Sequence, residues 1–220
     1  MPRIDEILSL VPKNGVLTII QRDLEAGGDR YALLLLKKLL ESGAQAILFL
    51  YEPFNVFLRN MENLGADVRN YLGKNLVVFD VFGSVHKIER KEKSIYTISG
   101  YVEDAIFVSK VKEWGKELAN NWNIEYQKLW IMSYLTSGAC KLFHNPLYTH
   151  KMVWFMKEEL LKNKGVRGIL TYSPLECPEL EDVIYFASDV VIETKVIGGK
   201  KVGIISKGPL ENTIFELFGE

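Results

Sequence analysis

Cysteine is nearly absent from this chain. The two present, Cys140 and Cys177, are too few for a disulfide framework, and neither stands in a C-x-x-C pair. Reduced, buried thiols are the expectation. A metal site built from Cys140, His144, His150 and Cys177 would match no common zinc spacing, so packed side chains and no metal are expected there. Charge of one sign is missing too. A formal net charge of −1 leaves no global field to draw the protein to nucleic acid or to an acidic membrane, so any polyanion site must be local. No apolar run approaches the length of a membrane span, and the opening Met-Pro-Arg-Ile-Asp-Glu lacks the basic segment and apolar stretch of a signal peptide. The expectation is a soluble, cytoplasmic protein with no membrane partner. Linkers, repeats and low-complexity tracts are likewise missing, and 220 residues suit one full core better than two small ones, so a single domain over 1–220 is expected.

What is present is an alternation of strand-length apolar runs with helical periodicity, the pattern of βα units on a mainly parallel sheet. Strands are expected near 16–21, 45–51, 76–81, 128–134, 167–172, 188–195 and 201–206. Helices are expected near 3–10, 29–42, 54–64, 102–120, 146–163 and 210–218, and residues 86–94 read as a lysine- and glutamate-rich surface loop. The helix from Asp29 carries Leu33, Leu34, Leu35, Leu36, Leu39 and Leu40, so it should lie on the sheet and be covered on its far side. Ile197-Gly198-Gly199-Lys200 signals a hairpin, which would end the sheet with an antiparallel pair. Connections between parallel strands should place the loop at 21–28 on one edge together with the other strand-to-helix loops.

That loop, Gln21-Arg22-Asp23-Leu24-Glu25-Ala26-Gly27-Gly28, follows an apolar strand and precedes a helix. It has the length of the phosphate-cradling G-x-x-x-x-G-K-[ST] turn, in which Lys reaches the β/γ-phosphates and Ser/Thr the magnesium. On that frame the first Gly falls on Asp23, the second is Gly28, the Lys falls on Asp29 and the Ser/Thr on Arg30. The frame is present and its cation is not. Asp29 stands where its carboxylate can cap the first helical turn.

Further residues extend the pattern along most of the chain. They are Val11-Pro12-Lys13-Asn14-Gly15 before the first strand, Glu52-Pro53-Phe54 and Arg59 to Asp67 after the second, and Leu129-Trp130-Ile131-Met132-Ser133. Ser188-Asp189-Val190-Val191-Ile192 and Ile204-Ile205-Ser206-Lys207-Gly208 complete it. In order and spacing these segments resemble the RecA/KaiC-like P-loop ATPase superfamily, in particular the archaeal KaiC-like group. The resemblance implies a three-layer α/β/α RecA-like fold, mainly parallel, with a C-terminal antiparallel hairpin. It also implies a Walker B acid at the position of Met132, a water-activating base at Glu52, and a lysine at Lys207 that reaches a neighbouring subunit's nucleotide. Degenerate Walker A and B motifs leave Glu52 as a relic of the catalytic set, or as a helix-capping acid before Pro53. Magnesium-dependent ATP hydrolysis is not expected, because Asp29 adds repulsion where phosphate needs attraction and Met132 offers magnesium no hard oxygen. No cofactor is expected.

The function the sequence supports is a non-hydrolysing regulatory or protein-interaction module. It would be a monomer or dimer, with a protein partner or a second copy as its contact. One alternative is a nucleotide- or phosphate-binding protein in which Arg22, Gly27, Gly28, Arg30 and Lys207 form an altered anion site at the helix N-terminus. Against it stands a loop filled from within by Asp29. The other alternative is a nucleic-acid-associated protein. Ser173 to Val183 holds Glu176, Glu179, Glu181 and Asp182 and no Lys or Arg, which opposes a phosphate backbone; Gly138 to Pro146 offers only Lys141, Phe143 and His144. Trp114, Trp122, Trp130 and Trp154 read as core and interface mass rather than base-stacking platforms.

Overall fold

In a computed structural model of the chain, residues 2–92, 94–100 and 102–219 are described; Lys93, within the expected 86–94 loop, lies outside them. The elements run α1 (Ile4–Ser9), β1 (Val16–Gln21), α2 (Gly28–Glu41), β2 (Gln45–Leu50), α3 (Phe54–Glu62), β3 (Leu76–Asp80), α4 (Val81–Val85) and β4 (Ile95–Tyr96). There follow α5 (Asp104–Asn121), β5 (Leu129–Tyr134), α6 (Ala139–Leu142), α7 (Pro146–Leu161), β6 (Arg167–Tyr172), α8 (Glu181–Ala187), β7 (Val190–Ile197), β8 (Lys200–Lys207) and β9 (Ile214–Glu216).

The strands form one sheet in the order β4-β3-β2-β5-β6-β1-β7-β8-β9. Pairings from β4 to β7 are parallel; β8 and β9 are antiparallel. Alternate residues of each strand serve different cores. Leu17 and Ile19 of β1 and Ala46, Leu48 and Leu50 of β2 pack with α1, α2 and α3. Ile20, Ile47 and Phe49 pack with α5, α7 and α8 on the opposite face. Strands buried on both faces need near-continuous apolar runs, which is what the sequence supplies, and the result is the expected three-layer α/β/α arrangement. α2 lies on the sheet through Leu35, Leu36 and Leu39 and is covered by α1, α3 and the C-terminal Phe215 and Phe218, which reach Tyr31.

Two details fix β7 in the sheet, one at each end of the strand. Asp189 accepts from the Val16 N–H at 2.8 Å while its own N–H donates to Val16 O at 2.9 Å, which locks β7 beside β1. The β7–β8 turn uses Gly198 and Gly199, φ 56° and 76°, the paired left-handed backbone that a two-residue hairpin requires. One expected element is wrong: residues 210–218 form no helix. Phe215 and Leu217 point inward while Ile214 faces out, the alternation of a strand, and β9 pairs with β8 through Gly203 opposite Phe215. A Cβ on Gly203 would lie 2.6 Å from the Phe215 ring.

Candidate functional site

β1 delivers the chain to the sheet edge at Gln21, where a short 3-10 turn, Leu24–Ala26, is capped by Asp23 accepting from the Glu25 N–H at 2.9 Å. Gly27 then adopts left-handed backbone, φ 74°, and α2 starts at Gly28. A Cβ at Gly28 would lie 2.6 Å from Thr194 Oγ1 and 2.9 Å from Gln21 Cγ, so glycine lets the helix begin against β1 and β7. Asp29 does not cap the helix. Gly27 holds the cap position, and the Asp29 carboxylate, already inside the first turn, accepts from Gln21 Nε2 at 3.1 Å. Its charge still complements the positive helix end.

The cations of the expected anion site are each engaged by other partners. Arg22 donates to Glu181 and, at 3.1 Å, to Glu193. Burial disfavours its charge, but these two bonds outweigh that and raise its pKa. Arg30 places its guanidinium 5.4 Å from the centre of the Phe218 ring. Lys207 donates to the carbonyls of Tyr185 at 3.0 Å and Phe186 at 3.3 Å. Gly27 and Gly28 therefore sit at the loop, while Arg22 and Lys207 are committed to structure.

Glu52 is not a cap either, because Pro53 holds that position on α3 and no side chain bonds there. Its Oε1 is buried and has no hydrogen-bond partner among the described residues. Burial first, then the charge of Asp29, push its pKa up to about 7, with Asn60 and Arg59 pulling back less strongly. Asn60 comes near without making a bond of ordinary length to Oε1. The residue that completes this cluster was not legible in the sequence. Met132, at the expected Walker B position, is fully buried in the core; two residues on, Tyr134 ends β5 level with Leu50 and reaches the head of α2. The Tyr134 hydroxyl is buried and also makes no hydrogen bond of ordinary geometry among the described residues, with Asn60 close by. Burial and then the charges of Glu52 and Asp29 raise its pKa, so it stays a neutral donor and acceptor. Asp29, Arg30, Leu33, Asn60, Asn63 and Tyr134 line a cleft of about 520 Å³. Its chemistry is that of one carboxylate, Asp29, with the neutral amides of Asn60 and Asn63 and the Tyr134 hydroxyl, and with the Arg30 cation, set over the Phe218 ring, also on the lining.

The thiol expectation is corrected at the neighbouring strands. Cys140 and Cys177 form a disulfide with Cα atoms 5.6 Å apart. Parallel pairing of β5 with β6 carries both following loops to one edge, a meeting that residue count and spacing do not reveal. With both sulfurs joined and His150 packed beside Trp154, its pKa pushed down to about 4 by burial, the conceivable zinc set is not gathered. Lys141 donates to Glu176 at 3.0 Å, so the cation of the Gly138 to Pro146 loop is neutralised by the acidic loop. Trp114 and Trp130 are buried in the core. A cavity of about 170 Å³ beneath α5 and α7 is lined mainly by apolar side chains such as Phe49, Val111, Ile131 and Met156, with Lys116, Lys157 and Lys164 also on its lining.

No protein-family model matches the chain, and no curated protein matches it. Solved structures do. An uncharacterized protein of Pyrococcus horikoshii, crystallised in complex with an unknown peptide, is similar with a TM-score of 0.78 at 19% identity, covering 97% of this chain and 91% of its own. The flagellar accessory protein FlaH of Methanocaldococcus jannaschii gives 0.63 at 17% identity, over 94% of this chain and 86% of its own. A KaiC-like protein of Pyrococcus horikoshii OT3 gives 0.61 at 14% identity over the same shares, 94% and 86%. These likenesses show the fold: a RecA/KaiC-like α/β/α domain architecture. Among the described residues no helix is long and apolar enough to cross a membrane.

Proposed function

We propose that the chain is a non-hydrolysing protein of RecA/KaiC-like fold that acts as a single unit through protein contacts, with degenerate Walker A and B motifs. The observation that carries this reading is the head of α2. Asp29 stands where a phosphate-binding cation is needed, Glu52 adds to its field, and Arg22 and Lys207 are tied to other partners. Phosphoryl chemistry rests on positioning and on neutralising charge, and neither can be assembled from this set. Large apolar side chains left exposed, with Phe186 at 87%, Leu175 at 67% and Phe155 at 62%, supply surface for a partner or a second copy. The peptide on the Pyrococcus horikoshii neighbour supports the same reading.

Calorimetry with ATP and magnesium tests it. No binding tighter than about millimolar is expected. A micromolar dissociation constant that disappears with EDTA would overturn the reading in favour of an altered nucleotide site.

A further inference from the structure

We infer that the cleft at the head of α2 is a site for a primary ammonium group on an alkyl stem, such as a lysine side chain of a partner polypeptide. The inference rests on the protein-contact reading and names the chemistry of the partner.

An ammonium has three donors and no acceptor, so its site must offer oxygens and no competing hydrogens. Asp29 supplies a carboxylate with only one donor, Gln21, already on it. Tyr134 is fully buried and lines the cleft, and its hydroxyl, with Asn60 nearby, makes no hydrogen bond of ordinary geometry among the described residues. A buried unpaired hydroxyl costs free energy, a cost that an occupant pairing with it would relieve. Asn60 and Asn63 add amide oxygens, and Leu33 gives the methylene stem an apolar wall. Behind the lining, Glu52 carries a second unpartnered buried oxygen and deepens the negative field as it ionises. The cations at hand do not fill the place. Arg30 is on the lining but sets its guanidinium 5.4 Å from the centre of the Phe218 ring, and Arg59 acts on Glu52 less strongly than Asp29 does.

A bare metal ion fits less well. Calcium wants six to eight oxygens closed to roughly 2.5 Å. The cleft of about 520 Å³ is far roomier, and no third His, Cys, Asp or Glu joins Asp29 and Glu52 in a ligating group among the described residues.

The test is an NMR titration of labelled protein with n-pentylammonium chloride at constant ionic strength, read at the Leu33 methyls and the side-chain amides of Asn60 and Asn63. Saturating shifts with a dissociation constant of about a millimolar are expected, and none with n-pentanol. Asp29→Asn should weaken binding about tenfold, and affinity should rise between about pH 6 and 8 as Glu52 ionises. Tyr134→Phe is the second variant should Asp29→Asn fail to fold, and it should weaken binding without changing that pH profile. Equal responses to amine and alcohol, no effect of either variant, or shifts with calcium chloride but not with the amine would overturn the inference. ATP with magnesium, titrated alone, separates the two readings. Saturable ATP binding defeats the protein-contact reading, whereas silence to both ATP and amine defeats only the ammonium site.

Discussion

Asp80 and Glu52 are two acids at the same edge of the sheet, one ending β3 and the other two residues past the adjacent β2, yet their surroundings treat them differently. Asp80 is fully buried, accepts from Arg90 Nε at 2.8 Å and the Gly83 N–H at 2.7 Å, and pairs with Arg90 Nη2 2.8 Å away. Its oxygens are spoken for, and they tie α4 and the following loop to the sheet. Glu52 has a buried oxygen with no partner and a neighbouring carboxylate that opposes its ionisation. A satisfied buried charge is part of how the chain folds; an unsatisfied one is a cost the fold carries without return to itself. That contrast separates structural acids from the candidate site.

Breaking the tied acid gives the largest effect. Arg90→Ala leaves the Asp80 carboxylate buried without its cationic partner, and a loss of about 3–5 kcal/mol in urea unfolding is expected. Arg90→Lys should recover only part, since a point charge cannot donate along the guanidinium fork. A loss below about 1 kcal/mol for Arg90→Ala would show that Asp80 is no more tied than a surface acid.

The untied acid should respond with the opposite sign. Because the folded pKa of Glu52, about 7, lies above its ordinary 4.5, the native state holds the proton more tightly than the unfolded chain does. Its cost is therefore absent below about pH 4.5, grows as pH rises to about 7, and is full above that. Glu52→Gln should stabilise the protein by about 2 kcal/mol at pH 8, allowing for partial exposure, and by almost nothing at pH 4. Unfolding curves of both proteins across that range check it. A variant less stable at pH 8 would mean that Glu52 is tied after all.

Most of the frame was legible because strands buried on both faces must be apolar throughout. Val16–Gln21 and Arg167–Tyr172 fall where their runs predict, and the Gly198-Gly199 turn fixes the hairpin. The C-terminal segment was misread because Ile214, Phe215, Leu217 and Phe218 fit helical spacing as well as alternation, and only the free edge of β8 decides between them. In the site, the loop and Asp29 could be read locally. Arg22's partners could not, since Glu181 and Glu193 lie 159 and 171 residues away in sequence. Nor could the Cys140–Cys177 bond or the role of Tyr134, because both depend on which strands are neighbours.

The smallest expected effect falls on Tyr134 and sharpens the comparison most. Its hydroxyl lies in the same field as Glu52 but carries no charge, so it isolates the cost of an unpaired polar atom from the cost of an unpaired charge. Tyr134→Phe keeps the ring that packs 6.3 Å from Phe57 and removes only the oxygen. Were that oxygen hydrogen-bonded within the protein, its loss would destabilise by about 1 kcal/mol. Being unpaired, it should instead leave stability unchanged or raise it by up to about 1 kcal/mol, with little dependence on pH between 4 and 8. Thermal unfolding at both pH values measures this. A loss of stability would reveal a partner for the hydroxyl inside the fold and would remove the reason to look for one outside it.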